Sequence, residues 1–162
     1  MRSLYFAIVY PYISYGITLW GSAYNVHKKN LIIMQKRAIR TIAGAQYNAH
    51  TNTLFKELHI LKLNDVYKTE VTKIIFKFKQ NSLPYRIQNL FICNHNIQDR
   101  ATRQHDDLHI KKCRTTLASQ HISSRGPQIW NALPTELKNA TSGTLNTFSN
   151  KLVTLYIAEY VD

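Results

Sequence analysis

Five basic side chains stand between positions 28 and 44 of this 162-residue chain, and no acidic residue lies among them. They are Lys28, Lys29, Lys36, Arg37 and Arg40. Ammonium and guanidinium groups at this density favour an anionic partner, either the phosphates of nucleic acid or an anionic membrane surface. The alternative is an ordinary surface helix whose basic side chains face only water.

The same segment has the spacing of an amphipathic helix. Four apolar residues fall on one face, with two more beside them: Leu31, Met34, Ala38 and Ile42, then Ile32 and Ile39. The basic residues of the opposite face are Lys29, Lys36, Arg37 and Arg40. We therefore predict a helix whose apolar stripe packs on the core and whose basic face points outward, with Gly44 as its C-terminal stop.

A second long helix is predicted over residues 65–80, with Asn64 as its N-cap. Its apolar residues recur at helical spacing: Tyr67, Val71, Ile74, Ile75 and Phe78. Lys73 and Lys77 flank this stripe, and we expect them to extend the basic surface. Lysines that face only solvent are the alternative here as well.

The sequence contains few acidic residues that could act together in catalysis. Asp106-Asp107 is the single Asp-Asp pair, and the first acidic residue of any kind is Glu57. Two-metal catalysis needs several convergent carboxylates. Gly-rich phosphate loops, G-x-S-x-G elbows and H-E-x-x-H pairs are also absent from the sequence. We therefore assign no catalytic residue and no cofactor.

Soft metal ligands occur between positions 93 and 113: Cys93, His95, His105, His109 and Cys113. If the segment were helical, the last three would share one face. Structural zinc sites, however, recruit close C-x₂₋₄-C pairs, and none is present. We predict no metal site, two free thiols and a reducing intracellular compartment, nuclear or cytoplasmic.

The net charge of +12 lies entirely in the first 120 residues, which hold 18 basic and 6 acidic side chains. Residues 121–162 hold 3 of each. With 44% hydrophobic residues, the chain can bury one core, in one globular unit or two lobes. Such an excess favours nucleic acid or a membrane surface as partner but implies no sequence preference.

The uncharged stretch from Leu4 to Trp20 admits two interpretations. A signal sequence or short membrane span is one. A buried helix that is kinked near Pro11 is the other, and we favour it because the stretch holds four tyrosines and a proline and is short for a bilayer. We therefore expect no membrane as partner.

The remaining pattern predicts a mainly α fold. Short helices are expected at 52–58 and 85–91, and further ones open at Ser124 to Pro127, at Pro134 and near Thr144. Trp130 and Leu133 should anchor the first of these three. Residues 94–114 read as a long loop, with short strands near Leu108 to Ile110 and Thr115 to Leu117. Arg100 and Arg103 are further basic residues of this loop.

An ordered set of short motifs spans about Leu4 to Leu155. It comprises Tyr15-Gly16, Trp20-Gly21, Gln35-Lys36-Arg37-Ala38-Ile39-Arg40, Ala43-Gly44, Leu54-Phe55-Lys56-Glu57-Leu58, Ala101-Thr102-Arg103, Trp130 to Pro134 and Phe148-x-x-Lys151-Leu152. In this order the motifs resemble the C-terminal part of reverse transcriptases encoded by non-LTR retrotransposons of the jockey type. That region follows the palm and supplies a helical thumb and an extension.

The pattern along the sequence predicts three regions: a helical thumb-like region at 1–92, an irregular polar basic segment at 93–125, and C-terminal helices at 126–162 that pack on the same core. The resemblance implies a role in holding template and primer, and we assign this role to the basic residues Lys28, Lys29, Lys36, Arg37, Arg40, Lys73 and Lys77. The family places an aromatic-x-Asp-Asp turn on its palm, and Gln104-His105 before Asp106 do not match it.

We therefore expect a fragment that lacks palm and fingers and has no polymerase activity of its own. RNA or DNA, and the missing palm and fingers, are the expected partners. The main alternative is a degenerate structural or protein-interaction domain without molecular activity. Attachment of the tyrosine-rich N-terminus and the basic helix to a membrane surface is a third possibility.

Overall fold

Helices dominate the part of the chain that the structure describes. The structure is a computed structural model that describes residues 2–97, 105–139 and 143–160. The helices are α1 (Arg2–Leu4), a π-helix (Tyr5–Val9), α2 (Tyr10–Ser14), α3 (Ile17–Trp20), α4 (Asn25–Ala43), α5 (Thr51–Glu57), α6 (Leu63–Lys79), α7 (Tyr85–Gln88), a 3₁₀-helix (Asn94–Asn96), α8 (Thr116–Gln120), α9 (Ile122–Asn131), α10 (Thr135–Asn139) and α11 (Leu145–Ala158). The predicted mainly α fold is confirmed.

The chain forms two compact units. Unit 1 combines residues 1–69 with 150–162, and unit 2 comprises residues 70–149. The boundaries between the units fall inside α6 and α11. The three regions predicted at 1–92, 93–125 and 126–162 follow changes of composition along the sequence, and that division stays a prediction.

Helix α4 spans 19 residues and ends at Gly44, whose φ of +64° gives the left-handed conformation expected at this stop. Its buried stripe differs from the predicted one. Lys28, Gln35 and Ile39 are buried, whereas Met34 is 64% exposed and Leu31 39%. The helix is therefore rotated about its axis relative to the orientation that apolar spacing predicts.

Buried polar bonds account for this rotation. The Gln35 side-chain amide donates to Tyr5 Oη at 2.8 Å and to the Leu61 carbonyl oxygen at 2.9 Å. Its Oε1 accepts from the Leu63 backbone N–H at 3.0 Å. A buried amide whose donors and acceptor are all hydrogen-bonded fixes which face of the helix is buried.

The N-terminal stretch is helical with a π-helix just before Pro11, which lies in the first turn of α2. Proline lacks an N–H and crowds the carbonyl group one turn earlier, so a wider turn at this point accommodates it. The expected burial is only partial. Tyr5, Ile13 and Ile17 are buried, but Tyr12 and other large apolar side chains face solvent.

The described helices include none with the length and apolar content needed to cross a bilayer.

Gly21 follows α3 and lies against the ring of Tyr67 in unit 1. A Cβ atom at this position would lie 2.8 Å from Tyr67 Cγ and 2.5 Å from the Ile17 carbonyl oxygen. Only glycine allows this approach. The glycine of the Trp20-Gly21 motif is therefore a packing requirement of unit 1.

Aromatic side chains form the core of unit 2. Phe76 and Phe148 stack with ring centroids 4.4 Å apart, and Trp130 lies 6.0 Å from Phe148. A Cβ at Gly126 would approach the Phe91 ring to 3.0 Å. Trp130 and Leu133 are both buried, which confirms them as anchors.

Three local predictions were wrong, one on a strand and two on where a helix begins. Thr115 to Leu117 is not a strand, because the Thr115 hydroxyl caps α8 by accepting from the Ala118 N–H at 3.3 Å. Helix α9 begins at Ile122 and holds Pro127 in its interior. Helix α6 begins at Leu63, so Asn64 lies in its first turn and is not its cap. The predicted basic positions Arg100 and Arg103 lie outside the described residues.

Candidate nucleic-acid interface

Four basic side chains of α4 form an outward-facing group, which we call the α4 basic face: Lys29, Lys36, Arg37 and Arg40. The first three are exposed and Arg40 is half-buried. In the described ranges, none of the four lies within ion-pair distance of a carboxylate. Their charges are therefore not neutralised by the part of the fold that the structure shows.

Arg40 also organises the loop after α4. Its Nε–H donates to the Ala49 carbonyl oxygen at 2.9 Å. A guanidinium group has five N–H donors, so this bond leaves most of them for another acceptor. Arg40 can thus fix the loop and still contact a phosphate group.

Lys28 was predicted to belong to the same basic group, but the structure places it in the interior. It is 7% exposed, and its Nζ donates to the Gly21 carbonyl oxygen at 2.8 Å and to Asn64 Oδ1 at 3.1 Å. A buried ammonium group must be matched by such acceptors, because water does not reach it. Lys28 therefore ties α4 to the rest of unit 1.

The charge of the α4 basic face affects the pKa of Lys62. Partial burial lowers the pKa of Lys62, Asp65 raises it, and the positive charge of Lys36 lowers it further. Its ammonium group stands 4.0 Å above the ring centroid of Tyr160, a cation–π contact. Lys62 gives no signal in the sequence, because it precedes α6 and belongs to no periodic basic pattern.

Tyr160 holds this neighbourhood together. Its hydroxyl accepts from the Lys62 backbone N–H at 2.9 Å and donates to Asp65 Oδ2 at 2.7 Å. Burial is the main cause that raises the pKa of Tyr160, and the nearby Asp65 carboxylate raises it further. The phenol therefore stays protonated and keeps donating to Asp65 at neutral pH.

Lys73 and Lys77 lie in unit 2, on the C-terminal part of α6. Lys73 forms an ion pair with Glu70 at 2.8 Å, so its charge is partly compensated inside the fold. Lys77 is exposed. Their assignment to an interface with nucleic acid stays a prediction.

The Asp106-Asp107 pair sends its two carboxylates to different partners. Asp107 forms an ion pair with Lys138 at 3.0 Å, whereas Asp106 Oδ1 lies 3.2 Å from His105 Nδ1. Both cysteines are free thiols, with Cys93 buried and Cys113 exposed. Cys113 contacts Ser124 Oγ at 3.5 Å, and its segment is not the helix that would stack it with His105 and His109.

Comparison with known proteins supports a distant relationship. The chain is 25% identical over 104 residues to the RNA-directed DNA polymerase from mobile element jockey of Drosophila melanogaster. The match covers 63% of this chain but 11% of that protein, so the chain spans about a tenth of its relative's length. No protein-family model and no solved structure matches the chain. The chain is thus distantly related to a retrotransposon RNA-directed DNA polymerase.

Proposed function

We propose that this chain is a non-catalytic C-terminal part of a retrotransposon RNA-directed DNA polymerase. In this role it binds template–primer nucleic acid through backbone phosphates. The observation that carries the proposal is the α4 basic face, whose four cations have no carboxylate partner in the described residues. The distant similarity to a protein named RNA-directed DNA polymerase supports the choice of nucleic acid as the anionic partner.

The spacing of these cations suits a phosphate backbone. Lys29 and Arg40 are eleven residues apart in α4, which corresponds to about 16 Å along the helix axis. Successive phosphates of one strand advance by about 3.4 Å along a duplex axis, so this length matches about five nucleotide steps. Lys62 adds a further cation, and the positive charge of Lys36 contributes to lowering its pKa. Lys28 is left out of the interface because its ammonium group is buried and bonded.

Contacts of this kind position a nucleic acid without reading its sequence. The face offers two ammonium groups and two guanidinium groups, and both kinds of cation suit phosphate oxygens. We therefore expect RNA, DNA and their hybrid to bind with similar affinity whatever their sequence. The two free thiols are compatible with a reducing nuclear or cytoplasmic compartment, where such a complex would form.

Polymerisation, in this proposal, belongs to a palm that lies outside this chain. The divergent partners of Asp106 and Asp107 support a non-catalytic role, because paired metal ions need convergent carboxylates. Extension of a primed RNA template by this chain alone, with Mg²⁺ present, would contradict this part of the proposal.

The N-terminal helices offer a surface on which that palm could pack. Five large apolar side chains there face solvent, each at least half exposed: Leu4, Ile8, Tyr12, Tyr15 and Leu19. Monomeric proteins rarely expose so many neighbouring apolar groups without a partner. The same observation also favours the second candidate function, a protein-interaction domain that binds no nucleic acid.

Binding measurements on the complete 162-residue chain distinguish the two functions. We would replace Lys36, Arg37 and Arg40 together with Gln and titrate labelled RNA and DNA of unrelated sequence, with fluorescence anisotropy as readout. The proposal requires a loss of at least tenfold in affinity that is similar for every nucleic acid tested. A protein-interaction domain would show no specific loss.

A charge-matched variant provides the control. Lys56→Gln, Arg86→Gln and Lys151→Gln together also remove three positive charges, from exposed positions outside α4. We expect this control to lose clearly less affinity than the α4 variant. Equal losses in both variants would mean that net charge alone governs binding, and α4 would then have no special role.

A further inference from the structure

Two histidines and one aspartate of unit 2 converge outside the basic face. The ligand atoms that His95, His105 and Asp106 can offer all lie within 4.8 Å of one another. His95 and Asp106 are exposed and His105 is half-buried. The cluster is therefore open to an ion from solvent.

Backbone pairing brings the histidines together although ten residues separate them in sequence. Cys93 and Leu108 form an antiparallel bridge, and the His95 N–H donates to the His105 carbonyl oxygen at 3.2 Å. The Asn94 N–H donates to the Asp107 carbonyl oxygen at 3.0 Å beside this bridge. These backbone bonds hold the two segments side by side where the bridge meets the 3₁₀-helix of residues 94–96.

Lys79, at the end of α6, binds both segments that the bridge joins. Its Nζ donates to the Asp106 carbonyl oxygen at 2.9 Å and approaches Cys93 Sγ to 3.3 Å. The backbone that carries Asp106 is thus held in place while its carboxylate, 97% exposed, remains free to turn. Cys93 is buried and faces Lys79, so it is not one of the converging ligands.

We propose that His95, His105 and Asp106 bind one divalent transition-metal ion, with Zn²⁺ as the preferred ion. Imidazole nitrogen and carboxylate oxygen are common zinc ligands, at about 2.0–2.2 Å from the metal. In a tetrahedral site such ligand atoms lie about 3.3 Å apart, so the side chains must close by about 1.5 Å or less. Exposed side chains close this gap by rotation about χ angles.

The arrangement of the rings supports an ion between them. The His95 and His105 ring centroids are 5.4 Å apart, with an interplanar angle of 34°. Asp106 Oδ1 already lies 3.2 Å from His105 Nδ1 and supplies a negative charge. With three protein ligands the fourth position is left to water, so the site should bind less tightly than a four-ligand structural site.

The complete chain, stripped of metal with a chelator, can be titrated with Co²⁺ and then with Zn²⁺ as competitor. We expect one Co²⁺ per chain, with visible d–d absorption of a low-symmetry site, and its displacement by one Zn²⁺. His95→Ala and His105→Ala should each weaken binding by at least tenfold. Asp106→Asn, at an almost fully exposed side chain, should weaken binding without disturbing the fold.

His109→Ala is the matched control, because His109 also follows the Cys93–Leu108 bridge, with its N–H donating to the Ile92 carbonyl oxygen, but lies outside the cluster. We expect its metal affinity to stay within twofold of the unchanged protein. The proposal is overturned if the chain binds no Co²⁺ or Zn²⁺ stoichiometrically. Binding that survives His95→Ala and Asp106→Asn in proteins with unchanged circular dichroism overturns it equally.

Discussion

Adjacent lysines of α4 have opposite roles at the scale of single residues. Lys28 is buried against two oxygen acceptors, whereas Lys29 faces solvent without an ion-pair partner in the described residues. The two lysines are equivalent in composition, and the sequence pattern predicts one binding group that contains both. What separates them is a 100° turn of the helix, which decides whether the ammonium group meets carbonyl oxygens or water.

We expect Lys28→Ala to lower the free energy of unfolding by about 2 kcal/mol, because it leaves buried acceptors without their charged donor. Lys29→Ala should change it by less than about 0.5 kcal/mol, as exposed substitutions do. Urea denaturation of both variants measures the difference. Equal stabilities would show that Lys28 is not buried as described.

Tyr160 gives a second prediction, for alkaline pH. Burial and Asp65 raise its pKa in the folded chain, so above about pH 10 the unfolded chain loses the phenolic proton first. Its contribution to stability is therefore complete below about pH 10 and falls as the pH rises further. Tyr5, whose pKa burial also raises, acts in the same direction.

Denaturation between pH 7 and 11 tests this sign with Tyr160→Phe. The variant should be less stable at pH 7, because Asp65 loses its phenolic donor. Its stability should also fall less steeply above pH 10, with Tyr5 responsible for the slope that remains. A variant with the same alkaline slope as the unchanged chain would contradict the assignment.

At the scale of elements, the sequence predicted that α4 and α6 exist and where they end, but it misplaced the buried face of α4. Helical periodicity and Gly44 are local signals, so they can be read from the chain alone. The bonds from Gln35 to Tyr5, Leu61 and Leu63 join positions far apart in sequence. Apolar spacing contains no trace of such contacts.

Two substitutions on α4 measure the difference between the predicted and observed faces. Met34→Ala should cost less than about 1 kcal/mol because Met34 is 64% exposed, whereas a core methionine would cost about 2–5 kcal/mol. Gln35→Ala should cost about 2 kcal/mol or more, since it leaves buried polar groups unpaired. Urea denaturation gives both values. The reverse order would restore the orientation predicted from apolar spacing.

The His95 and His105 pair was missed for a related reason. Close spacing and helical faces are the sequence signals for metal ligands, and a helical face groups His105 with His109 and Cys113. The bridge between Cys93 and Leu108, with the backbone hydrogen bonds beside it, is a non-local contact. A segment read as an irregular loop gives no signal for its register.

For the whole molecule, the distribution of charge is more informative than its sum. The net charge of +12 was visible in the sequence and favoured an anionic partner. The structure shows which cations already have partners inside the fold. Lys28 donates to carbonyl oxygens, Lys73 pairs with Glu70, and Lys138 pairs with Asp107. The cations of the α4 basic face have no such carboxylate partner in the described residues, so their charges remain available to a phosphate backbone.

The salt dependence of binding tests the central proposal most directly. Each phosphate contact that is lost reduces the slope of log K against log salt concentration by about 0.9 for duplex DNA. For the chain with Lys36, Arg37 and Arg40 replaced by Gln, titrations of duplex DNA at three salt concentrations should give a slope smaller by about 2–3 than that of the unchanged chain. Circular dichroism should be the same for both proteins. An unchanged slope in the folded variant would contradict the role of α4 in binding nucleic acid.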